Sequence, residues 1–164
     1  MAFDELREQF EARRKKALAM GGEAKIERRR NAGVLNARER IEYLLDRGTF
    51  IESGLFATSL YPGDQEKTPA DGKIAGYGRI EGREAAIVVN DFTVKGASSA
   101  GTNMKKISQM QRTSKERGIP MVYLGESSGA RIPDNMGGIG MGTLLGGNPN
   151  QYARLRECPW ASGI

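Results

Sequence analysis

The chain contains no histidine. The usual base of a serine-histidine pair therefore cannot come from this polypeptide. Cys158 is the single cysteine, so no internal disulfide can form, and a reducing, cytoplasmic setting is expected. No apolar run approaches the roughly 18 to 20 residues that a spanning helix needs, and residues 1–10 are acidic and amphipathic rather than signal-like. No membrane association is expected. Aromatic residues make up only 7% of the chain and are not interleaved with its Arg/Lys clusters, which removes the stacking platforms that nucleic-acid binding would need.

What is present fits one globular core. The chain has 164 residues, 38% hydrophobic and 27% charged, too apolar for disorder and too polar for a membrane protein. The net charge of +5 is concentrated in the first forty residues, notably Arg13, Arg14, Lys15 and Lys16, then Arg28, Arg29 and Arg30. That end attracts polyanions, whether coenzyme phosphates, nucleic acid or an acidic surface, unless it is simply a solvated helical face.

Phe3, Leu6 and Phe10 recur at helical spacing and predict a helix to about Met20, ended by Gly21-Gly22. Asn36 with Glu39 three residues on predicts a capped helix with Ile41, Leu44 and Leu45 inward and Gly48 as its stop. Both helices are expected to pack against a neighbouring lobe or subunit. Residues 58–72, rich in Pro, Gly, Asp and Thr, read as a surface loop. Strands are predicted over residues 73–80 and 84–89, joined at Glu81-Gly82-Arg83. A helix over residues 101–117 with Met104, Ile107 and Met110 inward, closed by Gly118 and Pro120, precedes a short apolar strand, 121–124. Such an α/β pattern places functional groups on the loops after the strands.

Two such loops stand out. The first is Asp91-Phe92-Thr93-Val94-Lys95-Gly96-Ala97-Ser98-Ser99, and the second is Gly125-Glu126-Ser127-Ser128-Gly129-Ala130-Arg131. The second matches the nucleophile elbow of serine hydrolases, but the missing histidine counts against that reading. The run Gly137-Gly138-Ile139-Gly140-Met141-Gly142 resembles part of a dinucleotide fingerprint, yet no Gly-Lys-Ser/Thr follows and no third glycine opens a helix at the right spacing. The glycines can also serve turns alone. A further reading needs no histidine: small residues after a strand let backbone N–H groups converge on developing negative charge, as in an oxyanion hole. Lys95 could be a phosphate anchor or a base, though a solvated side chain is the simpler reading.

Four stretches resemble the carboxyltransferase subunits of propionyl-CoA and related biotin-dependent acyl-CoA carboxylases, a branch of the crotonase-like superfamily. They are Leu35-Asn36-Ala37-Arg38-Glu39-Arg40-Ile41 with Leu44-Leu45-Asp46; Asp71-Gly72 with Gly76-Tyr77-Gly78; Asn90-Asp91-Phe92-Thr93-Val94 with Gly96-Ala97-Ser98; and Glu126-Ser127-Ser128-Gly129-Ala130-Arg131-Ile132. The resemblance implies an α/β fold of ββα units wound into a spiral, with residues 1–50 as an N-terminal helical segment. Residues 51–164 would then be the front part of the acyl-CoA lobe, without the biotin-side C-terminal lobe. It implies transfer of a carboxyl group between carboxybiotin and the α carbon of a short acyl-CoA, with the thioester enolate held by backbone amides.

Carried over residue by residue, the resemblance makes the amides of Ser128, Gly129 and Ala130 the oxyanion donors and Gly96, Ala97, Ser98 and Arg131 the substrate contacts. No metal is expected in the chain. The implied partners are acyl-CoA, a biotin carboxylase and biotin carrier subunit, and further copies in a homo-oligomer with sites between subunits. Ser128-Gly129 stands where the family usually has two glycines, which bears on acyl preference. The chain is expected to be unable to complete carboxyl transfer alone. Two other readings are open to the sequence: a biotin-dependent acyl-CoA decarboxylase subunit, running the same half-reaction in reverse, and a non-catalytic polyanion-binding module.

Overall fold

The computed structural model of the chain describes residues 2–136 and 158–163. Helices α1 (Ala2–Leu18), α2 (Glu23–Asn31) and α3 (Ala37–Leu44) precede a sheet of five strands. The strands are β1 (Ile51–Ser53), β2 (Lys73–Ile80), β3 (Arg83–Asn90), β4 (Met121–Leu124) and β5 (Trp160–Gly163), in that spatial order. β1, β2 and β3 pair antiparallel, whereas β3, β4 and β5 pair parallel. Helix α4 (Gly101–Arg117) makes the crossover from β3 to β4, and the short α5 (Ile132–Asn135) follows the second loop.

β3 explains the layering. Ala85, Ala86, Ile87, Val88 and Val89 are all buried, because both faces of this central strand are covered. Ala85, Ile87 and Val89, with Ile74 from β2, face Ile26, Ala37 and Ile41 of the N-terminal helices together with Met20 and Leu45 just past the ends of α1 and α3. The alternate residues Ala86 and Val88, with Ala75 and Met121, face Ile107 and Met110 of α4. The N-terminal helices thus complete the core of their own chain.

Local signals hold at several places. Asn36 Oδ1 accepts from the N–H groups of Arg38 and Glu39 while Glu39 returns a bond to the Asn36 N–H at 2.8 Å, the anticipated capping box. β2, α4 and β4 occupy the anticipated spans, and Gly118 ends α4 in the left-handed conformation. Other expectations are corrected. α2 was not foreseen, because its composition, four basic residues in nine, shows a single buried residue, Ile26. α3 ends at Leu44 and turns extended at Leu45, so Gly48 is not its stop. Met104 lies 42% exposed because the apolar stripe of α4 runs through Ile107 and Met110. Phe3, Leu6 and Phe10 do lie on a helix, α1, as anticipated, and are largely exposed on it, Phe10 standing edge-on to Phe56. The glycine run 137–142 lies outside the described residues.

Candidate functional site

β3 and β4 are parallel neighbours, so the loops that follow them leave the same edge of the sheet and meet. They are joined by backbone bonds: Ser99 N–H donates to Gly129 O at 2.7 Å, Arg131 N–H to Ser99 O at 2.8 Å, and Ser128 N–H to Gly96 O at 2.9 Å. The Ser128 amide is therefore engaged between the loops. The Gly129 N–H donates to its neighbour Ser127 Oγ at 3.1 Å. Among the described residues, the Gly96 and Ala130 N–H groups have no hydrogen-bond acceptor.

The first loop is conformationally costly. Lys95, Gly96 and Ala97 all have φ between 49° and 62°, the left-handed region that only glycine visits freely. A non-glycine residue there costs about 1–3 kcal/mol, and such strain persists only where the surroundings hold it. The Ala97 carbonyl accepts from Lys73 Nζ at 3.3 Å and from Ser127 Oγ at 3.2 Å, and Lys95 Nζ reaches Asp64 Oδ1 at 3.1 Å. A second left-handed stretch, Ala70-Asp71-Gly72, lies beneath, and Lys106 Nζ donates to Ala70 O at 2.9 Å, to Gly54 O at 3.1 Å and to Lys73 O.

A buried ion pair fixes the base of the second loop. The Arg131 guanidinium donates to Asp71 Oδ1, and its other nitrogens reach Ser98 Oγ and Ser98 O at 3.3 Å each. Asn103 donates its N–H to Asp71 Oδ2 at 2.9 Å and its side-chain amide to Asp71 O and Ser98 O. Burial pushes the Asp71 carboxyl up, and the Arg131 guanidinium pulls it back. Burial likewise pushes Lys73 and Lys106 down to about 8.

Of the residues expected at the ligand, Ser128, Gly129 and Ala130 are exposed and Gly96 is half-buried. Ala97, Ser98 and Arg131 are buried, so their side chains hold the loops from below rather than line an opening. Gly129 has φ +113° and open space where a Cβ would stand, which keeps this side of the loop clear. Sequence reasoning missed Asp71, Lys73, Asn90 and Asn103. Asp71 and Asn90 stand within the stretches that carry the family resemblance but without an assigned role, and the partners of all four lie too far along the chain to be read from spacing.

The N-terminal segment is tied to the same place. Arg29 grips both oxygens of Glu126 at 2.9 and 2.6 Å, and Arg40 adds a bond at 3.1 Å. Lys25 Nζ donates to Thr93 O at 3.0 Å, and Arg29 stacks over the Phe92 ring at 5.5 Å. Among the described residues no group of three acidic or cysteine side chains could hold a metal ion, and no helix is long and apolar enough to cross a membrane.

Residues 28–154 match the carboxyl transferase domain. The chain is 39% identical over 140 residues to the carboxyltransferase subunit of propionyl-CoA carboxylase from Haloferax mediterranei, covering 84% of this chain and 26% of that one. It is 38% identical over 134 residues to the mitochondrial propionyl-CoA carboxylase beta chain of Homo sapiens, covering 79% and 25%. Among solved structures it is similar to the transcarboxylase 12S hexamer with methylmalonyl-coenzyme A and methylmalonic acid bound. There the TM-score is 0.76 at 32% identity, over 93% of this chain and 28% of that one. A single-chain, multi-domain long-chain acyl-CoA carboxylase gives a TM-score of 0.79 at 26% identity, over 96% and 17%. The chain spans about a quarter of the length of the curated relatives it matches. The mixed sheet covered on both faces is the crotonase-like α/β fold of these carboxyltransferases. Two small-residue loops on adjacent parallel strands and a match over most of the sequence lead to one assignment: the chain belongs to the carboxyl transferase domain family.

Proposed function

We propose that the chain forms the acyl-CoA side of a biotin-dependent carboxyltransferase acting on a short acyl-CoA such as propionyl-CoA. The observation that carries this is the pair of loops, which leave one sheet edge and present the N–H groups of Gly96 and Ala130 without protein acceptors among the described residues. A thioester oxygen that becomes an enolate needs such fixed donors, each worth about 3–4 kcal/mol on the chemical step. The Ser128 amide, engaged with Gly96 O, contributes by setting the gap between the loops.

Carboxybiotin, delivered by a partner carrier, supplies the carboxyl group. The groups of this chain bind and orient the thioester and stabilise charge on its oxygen. The basic end, with Lys25, Arg28 and Arg29 around Phe92, is suited to coenzyme phosphates. A homo-oligomer goes with this reading, since the transcarboxylase 12S relative is a hexamer. So does a cytoplasmic location, which the lone Cys158 suits.

Calorimetric titration of the purified chain tests the proposal. Propionyl-CoA should bind saturably and more tightly than free CoA, with biotin and a short DNA duplex silent. A folded chain that ignores the CoA ester but binds DNA in a salt-sensitive way would overturn it.

A further inference from the structure

Lys73 opens β2 and is 1% exposed, paired in register with Asn90 of β3 at the end of the apolar run Ala85-Ala86-Ile87-Val88-Val89. Among the described residues no carboxylate forms an ion pair with it. Its ammonium instead donates to Asn90 Oδ1 at 3.1 Å and to Ala97 O at 3.3 Å. Ala97 O is the carbonyl that closes the left-handed stretch of the first loop. Asn90 in turn donates its amide to Glu126 O at 2.8 Å, at the start of the second loop. One cation is thus linked to both loops, directly to one and through a single side-chain amide to the other.

Packing alone does not call for a charge here, since a methionine would fill the same space without desolvation. A charge-assisted bond to a carbonyl is about twice as strong as a neutral one, and that excess is what a strained peptide needs to stay in place. We propose that Lys73 is a positioning residue for the thioester site, its ammonium fixing the Ala97 carbonyl and, through Asn90, the Glu126 carbonyl, so that the N–H groups of the two loops keep their spacing. This rests on the acyl-CoA reading above. Lys73 touches no substrate; it acts through backbone that does.

The groups around it shape its response to pH. Burial pushes Lys73 down to about 8, Asp71 opposes this, and Arg131 reinforces it. From α4, Lys106 holds the Lys73 carbonyl, and from β4 the Tyr123 hydroxyl donates to Asn90 Oδ1 at 3.2 Å. The charge on Lys73, and with it the spacing of the loops, is therefore lost as pH rises through about 8.

The test compares wild type with Lys73→Met. Ala97 O keeps Ser127 Oγ, and Asn90 Oδ1 keeps Tyr123, so neither acceptor is left bare. Binding of propionyl-CoA and of free CoA is measured by calorimetry, alongside the infrared carbonyl band of propionyl-CoA carrying carbon-13 at the thioester. Wild type should prefer the ester and shift the band to lower frequency. Lys73→Met should lose about tenfold in ester affinity, keep its affinity for CoA, and lose the band shift. In wild type both signals should fade between pH 7 and 9, and this reading stands even if the variant fails to fold. An unchanged band shift and ester preference in folded Lys73→Met, or a flat wild-type profile across that range, overturns the inference alone. Absence of ester binding by folded wild type overturns the acyl-CoA reading and the inference with it.

Discussion

Arg29 and Glu126, 97 residues apart, form a two-pronged ion pair that fastens the second helix to the loop after the fourth strand. The pair is largely enclosed, with side-chain exposures of 14% and 26%, so it is not an ordinary surface contact. Helix α2 buries a single side chain, Ile26, and is otherwise held by polar contacts, Lys25 Nζ to Thr93 O and Arg30 Nε to Glu39 besides this pair.

Arg29→Leu should therefore loosen α2. The expected loss is about 1–3 kcal/mol, and Arg29→Lys should recover only part, since an ammonium cannot grip two oxygens in parallel. Limited trypsin digestion should cut at Lys25, Arg28 and Arg30 sooner than in wild type. Equal digestion rates would show that other contacts hold the helix.

Asp71→Asn should strand the Arg131 cation. Asp134 Oδ2 lies 3.8 Å away, beyond hydrogen-bond distance. Removing one partner of a buried pair costs about 3–5 kcal/mol. The asparagine tolerates the left-handed φ of +50° at this position, so the loss reports on charge rather than backbone. Urea denaturation of Asp71→Asn, Arg131→Met and the double variant should give a large coupling; additive losses would contradict it.

Stability should rise with alkalinity across one window. Lys73 and Lys106 are pushed by burial from 10.5 to about 8. Between those values the unfolded chain binds more protons than the folded one, so the folded state gains as pH rises through the window and the penalty is constant below it. Each lysine carries a penalty of about 3 kcal/mol below that window. The urea midpoint should climb from pH 8 to 10, and Lys106→Met should shrink the climb. Fold stability and thioester binding would then move in opposite directions with pH.

Gly76→Ala should unseat β1. An added Cβ would stand 2.2 Å from Ile51 O and 3.0 Å from Glu52 Cα, both backbone atoms that cannot swing aside. A loss of about 1–3 kcal/mol is expected, with faster hydrogen exchange concentrated in β1. Uniform exchange across the sheet would argue against this local origin.

The sequence made legible what depends on neighbours along the chain. Asn36 and Glu39 announce a helix start because both halves of the capping box lie within one turn. The spans of β2, α4 and β4 follow from periodicity and from Gly118. α2 escaped because ion pairs rather than an apolar stripe hold it. The apolar periodicity of Phe3, Leu6 and Phe10 announced α1 correctly, but a periodic face shows which side of a helix is apolar and not what covers it. The two site loops were legible as small residues after strands, whereas the link from Lys73 through Asn90 to Glu126 joins residues 17 and 36 apart across separate strands. The engagement of the Ser128 amide with Gly96 O is likewise a tertiary fact.

The contacts that build the site also fix its place in the order of assembly. The hairpin of β2 and β3 closes through Glu81-Gly82 and pairs residues close in sequence. The bonds that hold the site join residues 30, 60 and 97 apart, from Ser99–Gly129 through Asp71–Arg131 to Arg29–Glu126. Closing longer loops takes more chain entropy, so these contacts gain least until the sheet already exists. Among the described residues the site contacts are therefore expected to form after the β2–β3 hairpin during folding and to open before it under mild denaturant.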